Sequence, residues 1–441
     1  MGFAFFILAN TLMFLQPAAF YPELAEWSLY QYTILIALAC SLPAALRLLD
    51  LHVLERQPVT VCVLGLQLAV VLSHLLFRFN FYDARMSGIA FSKLLVYYIV
   101  LVCTVNSPGR LRFFLSWLLF LIFILACLAL LHYAHVINIE SLQVLEERDI
   151  DDRTGEVRGV YRRLQSIGEF NDPNDFSLIL VAGLGIASYF LATGGGLAPR
   201  LLHLLPIGVF GYGVFLTQSR GGLIALVSGL LTFFWVHFGR WKSLLLTAAL
   251  LPAIFYLAGD RQSGLLAATL ESTGQSRIQL WAEALEYFKS APFFGIGHGN
   301  YLEEIHHVTH NSFLHCFAEL GLFGGVFFLG AFYSAARSLY RPEKDSAPPD
   351  SLSPELQPMW PYLLSVIVSY AAGLLTLSRA FVLEPYIFLG LSTAYMDMAQ
   401  AHWAAPVLRF DRRLYMRFVL LSGCFLFGTY LLVRTLSRWA S

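Results

Sequence analysis

The run FFLSWLLFLIFILACLALLHYA, Phe113 to Ala134, is 22 residues long and contains no Asp, Glu, Lys or Arg. At about 1.5 Å per residue, a helix of that length crosses the roughly 30 Å of a bilayer's hydrocarbon core. Lipid offers no water to backbone N–H and C=O groups, so a helix is the form that satisfies them. Twelve further apolar stretches lie at about 3–20, 28–46, 58–77, 88–105, 176–193, 201–217, 221–238, 243–258, 312–336, 360–377, 384–400 and 414–433. The sequence therefore predicts an all-α polytopic membrane protein with about 12–13 transmembrane helices.

Composition points the same way. Of 441 residues, 57% are hydrophobic and 13% charged, about half the charge of a soluble domain. That excludes a water-soluble enzyme. The 29 basic and 29 acidic residues balance, which excludes the basic excess of a nucleic-acid binder. Six cysteines lie in or beside apolar segments with no CxxC pair, so neither a disulfide framework nor a zinc ribbon is expected. The start, Gly2 to Phe20, lacks a basic n-region and reads as a first membrane helix, not a signal peptide.

Basic residues in short loops set the orientation. Arg47 and Arg56, Arg110 and Arg112, Arg200, Arg240 and Lys242, Arg341 and Lys344, and Arg409, Arg412 and Arg413 occupy alternate loops, which are expected inside. The connection with Glu23 and Glu26 and the long polar stretches 135–175 and 259–311 then lie outside. The chain divides into N-terminal helices (1–134), an outer loop (135–175), central helices (176–258), a second outer loop (259–311) and C-terminal helices (312–441). A thirteenth span would leave the C-terminus outside despite Arg434 and Arg438.

Residues 140–175 hold 15 charges, ten of them acidic, and most read as a solvated loop. The loop ends in Gly168-Glu-Phe-Asn-Asp-Pro-Asn-Asp175, where Asn174 or Asp175 is expected to cap the following helix. Thr217-Gln-Ser-Arg-Gly-Gly222 separates two apolar helices on the outer side. Arg220 reads either as a snorkelling side chain over a Gly-Gly turn or as an anion clamp, since guanidinium offers phosphate a fork of donors.

Ser276-Arg-Ile-Gln279 has capping-box spacing, so a helix is expected to start there. Ile278, Trp281, Leu285 and Phe288 then form an apolar stripe, and Arg277 falls in the first turn, where an anion would relieve its conflict with the helix dipole. Gly295-Ile-Gly-His-Gly299 reads as a flexible turn. His298, His306, His307, His310 and His315 are five of the chain's twelve histidines. His306 and His310 have a spacing that could share a metal, but HExxH is absent because His307 follows His306. A lone base among ordinary loop histidines is the expectation, with no metal, and Asn311 is expected to cap the next membrane helix.

His310-Asn311, nine residues, then Gly321-Leu-Phe-Gly324-Gly325 resembles the HN-x9-GxxG signature of bacterial O-antigen ligases, a region shared with O-antigen and exopolysaccharide polymerases. Ser219-Arg-Gly-Gly222, the Ser276-Arg…Trp281 helix, Pro292-Phe-Phe-Gly-Ile-Gly297 and Phe170-Asn-Asp-Pro-Asn174 follow that superfamily's order. The likeness covers roughly residues 160–330. The ligases are described with twelve spans, one fewer than the thirteen stretches here.

The resemblance implies a GT-C-like membrane glycosyltransferase with a helical periplasmic loop domain, in the bacterial inner membrane. It implies transfer of a glycan from undecaprenyl pyrophosphate to a hydroxyl on lipid A–core, on the periplasmic face. The alternative is a polymerase that uses the same donor and a glycan acceptor. By motif, Arg220 and Arg277 would hold the pyrophosphate and His310 would act on the acceptor hydroxyl, with Asn174, Ser219 and Asn311 in substrate binding. No cofactor and no metal are implied, since two arginines can stabilise the leaving pyrophosphate. A flippase or other transporter is a third reading, favoured by charges within helices. Lys93 and Glu384 are expected near helix ends, which argues against it.

Overall fold

The apolar run that opens the prediction is part of a single helix of 26 residues, Pro108–Tyr133, started by Ser107, whose side chain accepts from the N–H of Arg110. The computed structural model describes residues 1–142, 144–150, 157–257, 272–340, 354–400 and 408–436. In chain order these form α1 (Gly2–Leu15), α2 (Leu29–Leu48), α3 (Leu51–Leu54), α4 (Pro58–Ser73), α5 (Phe81–Thr104) and α6 (Pro108–Tyr133). The strands β1 (Leu145–Ile150) and β2 (Val157–Arg163) come next. They are followed by α7 (Pro173–Thr193), α8 (Leu197–Leu202), α9 (Leu204–Thr217), α10 (Arg220–Phe238) and α11 (Arg240–Leu257). After these come α12 (Ser272–Ser290), α13 (Asn300–Ile305), α14 (Ser312–Leu339), α15 (Trp360–Leu374), α16 (Glu384–Gln400) and α17 (Arg412–Leu436).

The protein is a helical, multi-pass membrane protein. Among the described residues, ten helices are long and apolar enough to cross a bilayer, against the 12–13 expected. The other three apolar stretches are helical as well, with 18 described residues in α11, 15 in α15 and 17 in α16; α11 and α16 run up to the edge of the described residues. The sequence did not announce the antiparallel hairpin, in which Leu145 pairs with Arg163 and Glu147 with Tyr161. Its strands are rich in charge rather than in the branched and aromatic residues that mark strands.

The chain folds as two compact units. One comprises residues 1–40, 107–265 and 353–373. Within it α1 packs on α6, α6 on α7, and α7 on both α9 and α10. Gly222 permits the last contact, since a Cβ there would collide with the Ser177 hydroxyl. The expected Gly-Gly turn is instead the first turn of α10, and the chain reverses one step earlier, at Gln218 (φ 50°).

The other unit comprises residues 41–106, 266–352 and 374–441. Its central member is α14, which lies against α4, α12, α16 and α17. Lys93, expected near a helix end, and Glu319 both lie well inside its helices. Lys93 is exposed in the middle of α5, because that helix starts at Phe81, seven residues before the apolar stretch. Glu319 is fully buried in α14. Glu384 does open α16, as expected. In α17 Arg434 falls in the last turn, while Arg438 lies outside the described residues.

Candidate functional site

The site residues expected from sequence fall into two groups, one in each unit. Asn174, Ser219 and Arg220 belong to the first. Asp172 caps α7, its carboxylate accepting from the N–H groups of Asn174 and Asp175. That corrects the expectation that Asn174 or Asp175 would do so: Pro173 fits the first helical position, which moves the cap back to Asp172. Freed from capping, the Asn174 side chain points at its neighbours. Its Oδ1 accepts from the Ser219 hydroxyl at 2.8 Å and from Arg163 Nη2 at 2.9 Å.

Arg163 was not singled out in the sequence. It closes β2, is 6% exposed, and gives its Nε to the carbonyl of Thr217 at 2.9 Å. One guanidinium thereby ties the hairpin, the start of α7 and the α9–α10 turn together. Ser219 caps α10 through the N–H of Gly222 at 3.1 Å. Arg220 follows as the first residue of α10, half-buried. An anion beside it would meet the positive dipole end of a helix that can span the membrane.

The second group contains Arg277, His310 and Asn311. Helix α12 is already formed at Ser272, so Ser276 and Arg277 lie inside it. Ser-x-x-Gln spacing occurs twice here, at Ser272–Gln275 and at Ser276–Gln279, and the helix begins no later than the first. Arg277 is thus beyond the first turn, and the expected relief of a dipole conflict is withdrawn. The apolar stripe is as expected. Ile278 and Leu285 are buried with Leu314 and Ala318 of α14 and Val433 of α17, and Trp281 packs at the edge. Residues 258–271, the start of the second outer loop, lie outside the described residues.

The glycines of the HN-x9-GxxG match have a structural meaning. Gly321 has φ 63° and breaks α14, a conformation that suits a residue without Cβ. A Cβ there would also strike the carbonyl of Phe293. The break frees backbone groups, and residues 292–297 take them up. Ile296 and Gly297 donate to the carbonyls of Ala318 and Glu319, while Leu322 and Phe323 donate to Pro292 and Phe293. The turn expected to be flexible is therefore bonded along its length to the broken helix.

Asn311 caps α14 as expected, accepting from the Leu314 N–H at 3.1 Å. Half-buried His310 precedes it with φ 51°, a left-handed conformation uncommon outside glycine. Its neighbours fix it there. The Trp281 indole donates to the Thr309 carbonyl at 2.9 Å, and the Thr309 and Ser378 hydroxyls lie 2.7 Å apart. The Arg379 N–H donates to Ser312, so a further arginine, unnoticed in sequence, is anchored beside this turn.

The histidines separate. His306 and His307 are exposed, as ordinary loop residues are. His306 lies past the end of α13 at φ 59°, so it shares no helix face with His310. His298 and His315 instead surround Glu319, with His315 Nε2 3.3 Å from its Oε1. Burial holds His298 below the usual imidazole range, against the pull of Glu319. Among the described residues, no three His, Cys, Asp or Glu side chains form a group that could hold a metal ion.

A family model described as O-antigen ligase matches residues 205–329. It spans Ser219, Arg220, Arg277, His310 and Asn311 and leaves Asn174 outside. A comparison with curated proteins finds no match.

Proposed function

Because residues 205–329 carry the sequence of the O-antigen ligase and polymerase-like family, we propose that this chain is a membrane glycosyltransferase. It moves a glycan from undecaprenyl pyrophosphate to a hydroxyl of lipid A–core, at the periplasmic face of the bacterial inner membrane. The single observation that supports this most is the His310 turn. A half-buried imidazole is held in a left-handed conformation at the mouth of a broken apolar helix.

A sugar hydroxyl is a poor nucleophile at neutral pH. In the proposed step its oxygen bonds to the anomeric carbon of the donor while the bond from that carbon to the pyrophosphate breaks. His310 takes the hydroxyl proton as general base, a role suited to imidazole's ordinary pKa near 6.5. Arg220 and Arg277 each bring a guanidinium to the departing pyrophosphate, whose growing charge they stabilise. Asn174 and Ser219 hold the segment that carries Arg220, and Asn311 holds the one that carries His310. The charge a divalent metal supplies in other pyrophosphate sites is supplied here by arginine, so transfer is metal-independent.

The test uses purified protein in detergent, an undecaprenyl-pyrophosphate-linked oligosaccharide and lipid A–core. His310→Ala is expected to insert and bind donor normally while turnover falls about 10²–10⁴-fold. The parent is expected to keep its activity in excess EDTA. Normal turnover per folded His310→Ala molecule would remove the base, and a product lengthened on the lipid-linked glycan would make the enzyme a polymerase. In intact cells a cysteine placed at Glu303 should react with an impermeant reagent from the periplasm; protection there would reverse the orientation.

A further inference from the structure

A carboxylate buried in an apolar helix is costly unless opposite charge and hydrogen bonds meet it there. Glu319 is such a group, with no side-chain exposure. Its Oε1 faces two donors, His315 Nε2 at 3.3 Å and the Tyr301 N–H at 3.2 Å. Its Oε2 has no hydrogen-bond partner among the described residues. The contact with Tyr301, like that of the Glu319 carbonyl with Gly297, secures the loop before α13. The contact with His315 leads elsewhere.

On the far side of that ring, Nδ1 lies 3.4 Å from the hydroxyl of Thr309, the residue before His310. The same hydroxyl accepts from the Asn311 N–H at 3.3 Å and lies 3.0 Å from the Asn311 carbonyl. A line of contacts thus runs from carboxylate to imidazole to hydroxyl and grips the residues on both sides of His310. Such a grip is what a non-glycine residue with positive φ requires, since that conformation is strained outside glycine.

We infer that Glu319 is a positioning residue for the transfer step, acting through His315 and Thr309 to hold His310 where the acceptor hydroxyl is deprotonated. This rests on His310 being the base. It gives the buried charge in α14 a role in catalysis rather than in passage across the membrane.

Glu319→Gln keeps the shape and one acceptor oxygen but loses the charge. With the same donor and acceptor, we expect kcat per folded molecule to fall about 10-fold, the loss of one charge-assisted hydrogen bond, with the donor KM unchanged. His315→Gln is expected to behave alike. The double variant should be no slower than the slower single one, because the two act in series. A purely structural role would lower the yield of folded protein and leave turnover per folded molecule intact. That result, or losses that multiply in the double variant, would overturn the proposal. An inactive His310→Ala beside a fully active Glu319→Gln defeats the positioning role alone, whereas a fully active His310→Ala defeats the base assignment and the positioning role together.

Discussion

The arginine corner at the start of α10 and the histidine turn at the start of α14 solve one problem in different ways. Each must hold a polar side chain at the end of an apolar helix, where an unpaired group is expensive. At the first, Arg163 is met by neutral acceptors, the carbonyl of Thr217 and the amide oxygen of Asn174. These two neutral oxygens fix the guanidinium between β2, α7 and the α9–α10 turn. At the second, a buried carboxylate meets an imidazole and a backbone N–H. The first corner ties three segments together through one guanidinium. The second mounts a turn on a carboxylate that shares its helix with that imidazole.

After His310, the largest effects should come from Arg220 and Arg277, and they test whether the first corner serves the donor. Arg220→Ala and Arg277→Ala are each expected to lower transfer by about 10²-fold or more, the scale of removing one preorganised donor from a developing charge. Lysine should restore part of the loss at either position, because an ammonium lacks the planar fork. If both guanidiniums meet one pyrophosphate, the double alanine variant should be less impaired than the product of the single losses. Strict multiplication of the two, measured as kcat/KM for the donor, would separate their roles.

Next comes Arg163, which sharpens the contrast between neutral and ionic support. Arg163→Met removes the donors to Thr217 and Asn174; the buried Thr217 carbonyl loses this partner, at about 1–3 kcal/mol, while the half-buried Asn174 oxygen keeps Ser219. Thermal unfolding should move down by several degrees, and donor affinity should weaken as the Ser219–Arg220 segment loosens. Arg163→Lys reaches one acceptor at a time and should fall between. Unchanged donor affinity in a destabilised Arg163→Met would confine this residue to the fold.

How much of this was legible in the sequence follows from the range of each interaction. Apolar length is local, so all thirteen stretches emerge as helices, and their bounds differ at polar starts such as Phe81–Ser87 and where a helix ends early, as at Leu15 and Leu374. Caps are local as well, and Asn311 behaves as expected. Asn174 does not, because proline at position 173 selects Asp172 instead. The Gly321 break was visible as a motif but not as a break, since its reason lies in residues 292–297, some 25 positions earlier. Arg163 was hidden for a related reason: it is one charge among neighbours in the sequence, and only the folded chain brings Thr217 to it. Glu319 differs, because His315 lies four residues before it on one helix, a spacing legible in the sequence once that helix is expected.

The smallest expected effect is a dependence on pH at the histidine corner. His298 has its pKa lowered, first by burial and then by His315 and His74, while the Glu319 carboxylate opposes the shift. A histidine with a depressed folded value takes up a proton more readily when unfolded. The unfolded state therefore binds more protons just below the ordinary imidazole pKa of about 6.5, and stability rises with pH through that window. Above it the His298 contribution is complete, and it is lost as pH falls from about 6.5 toward the folded value. Melting of the purified protein should accordingly drop between neutral and mildly acidic pH. His298→Asn cannot take up a proton, so it should flatten part of that slope and barely affect melting at pH 8. The same slope in the variant would move the acid sensitivity to His74, which faces the same carboxylate.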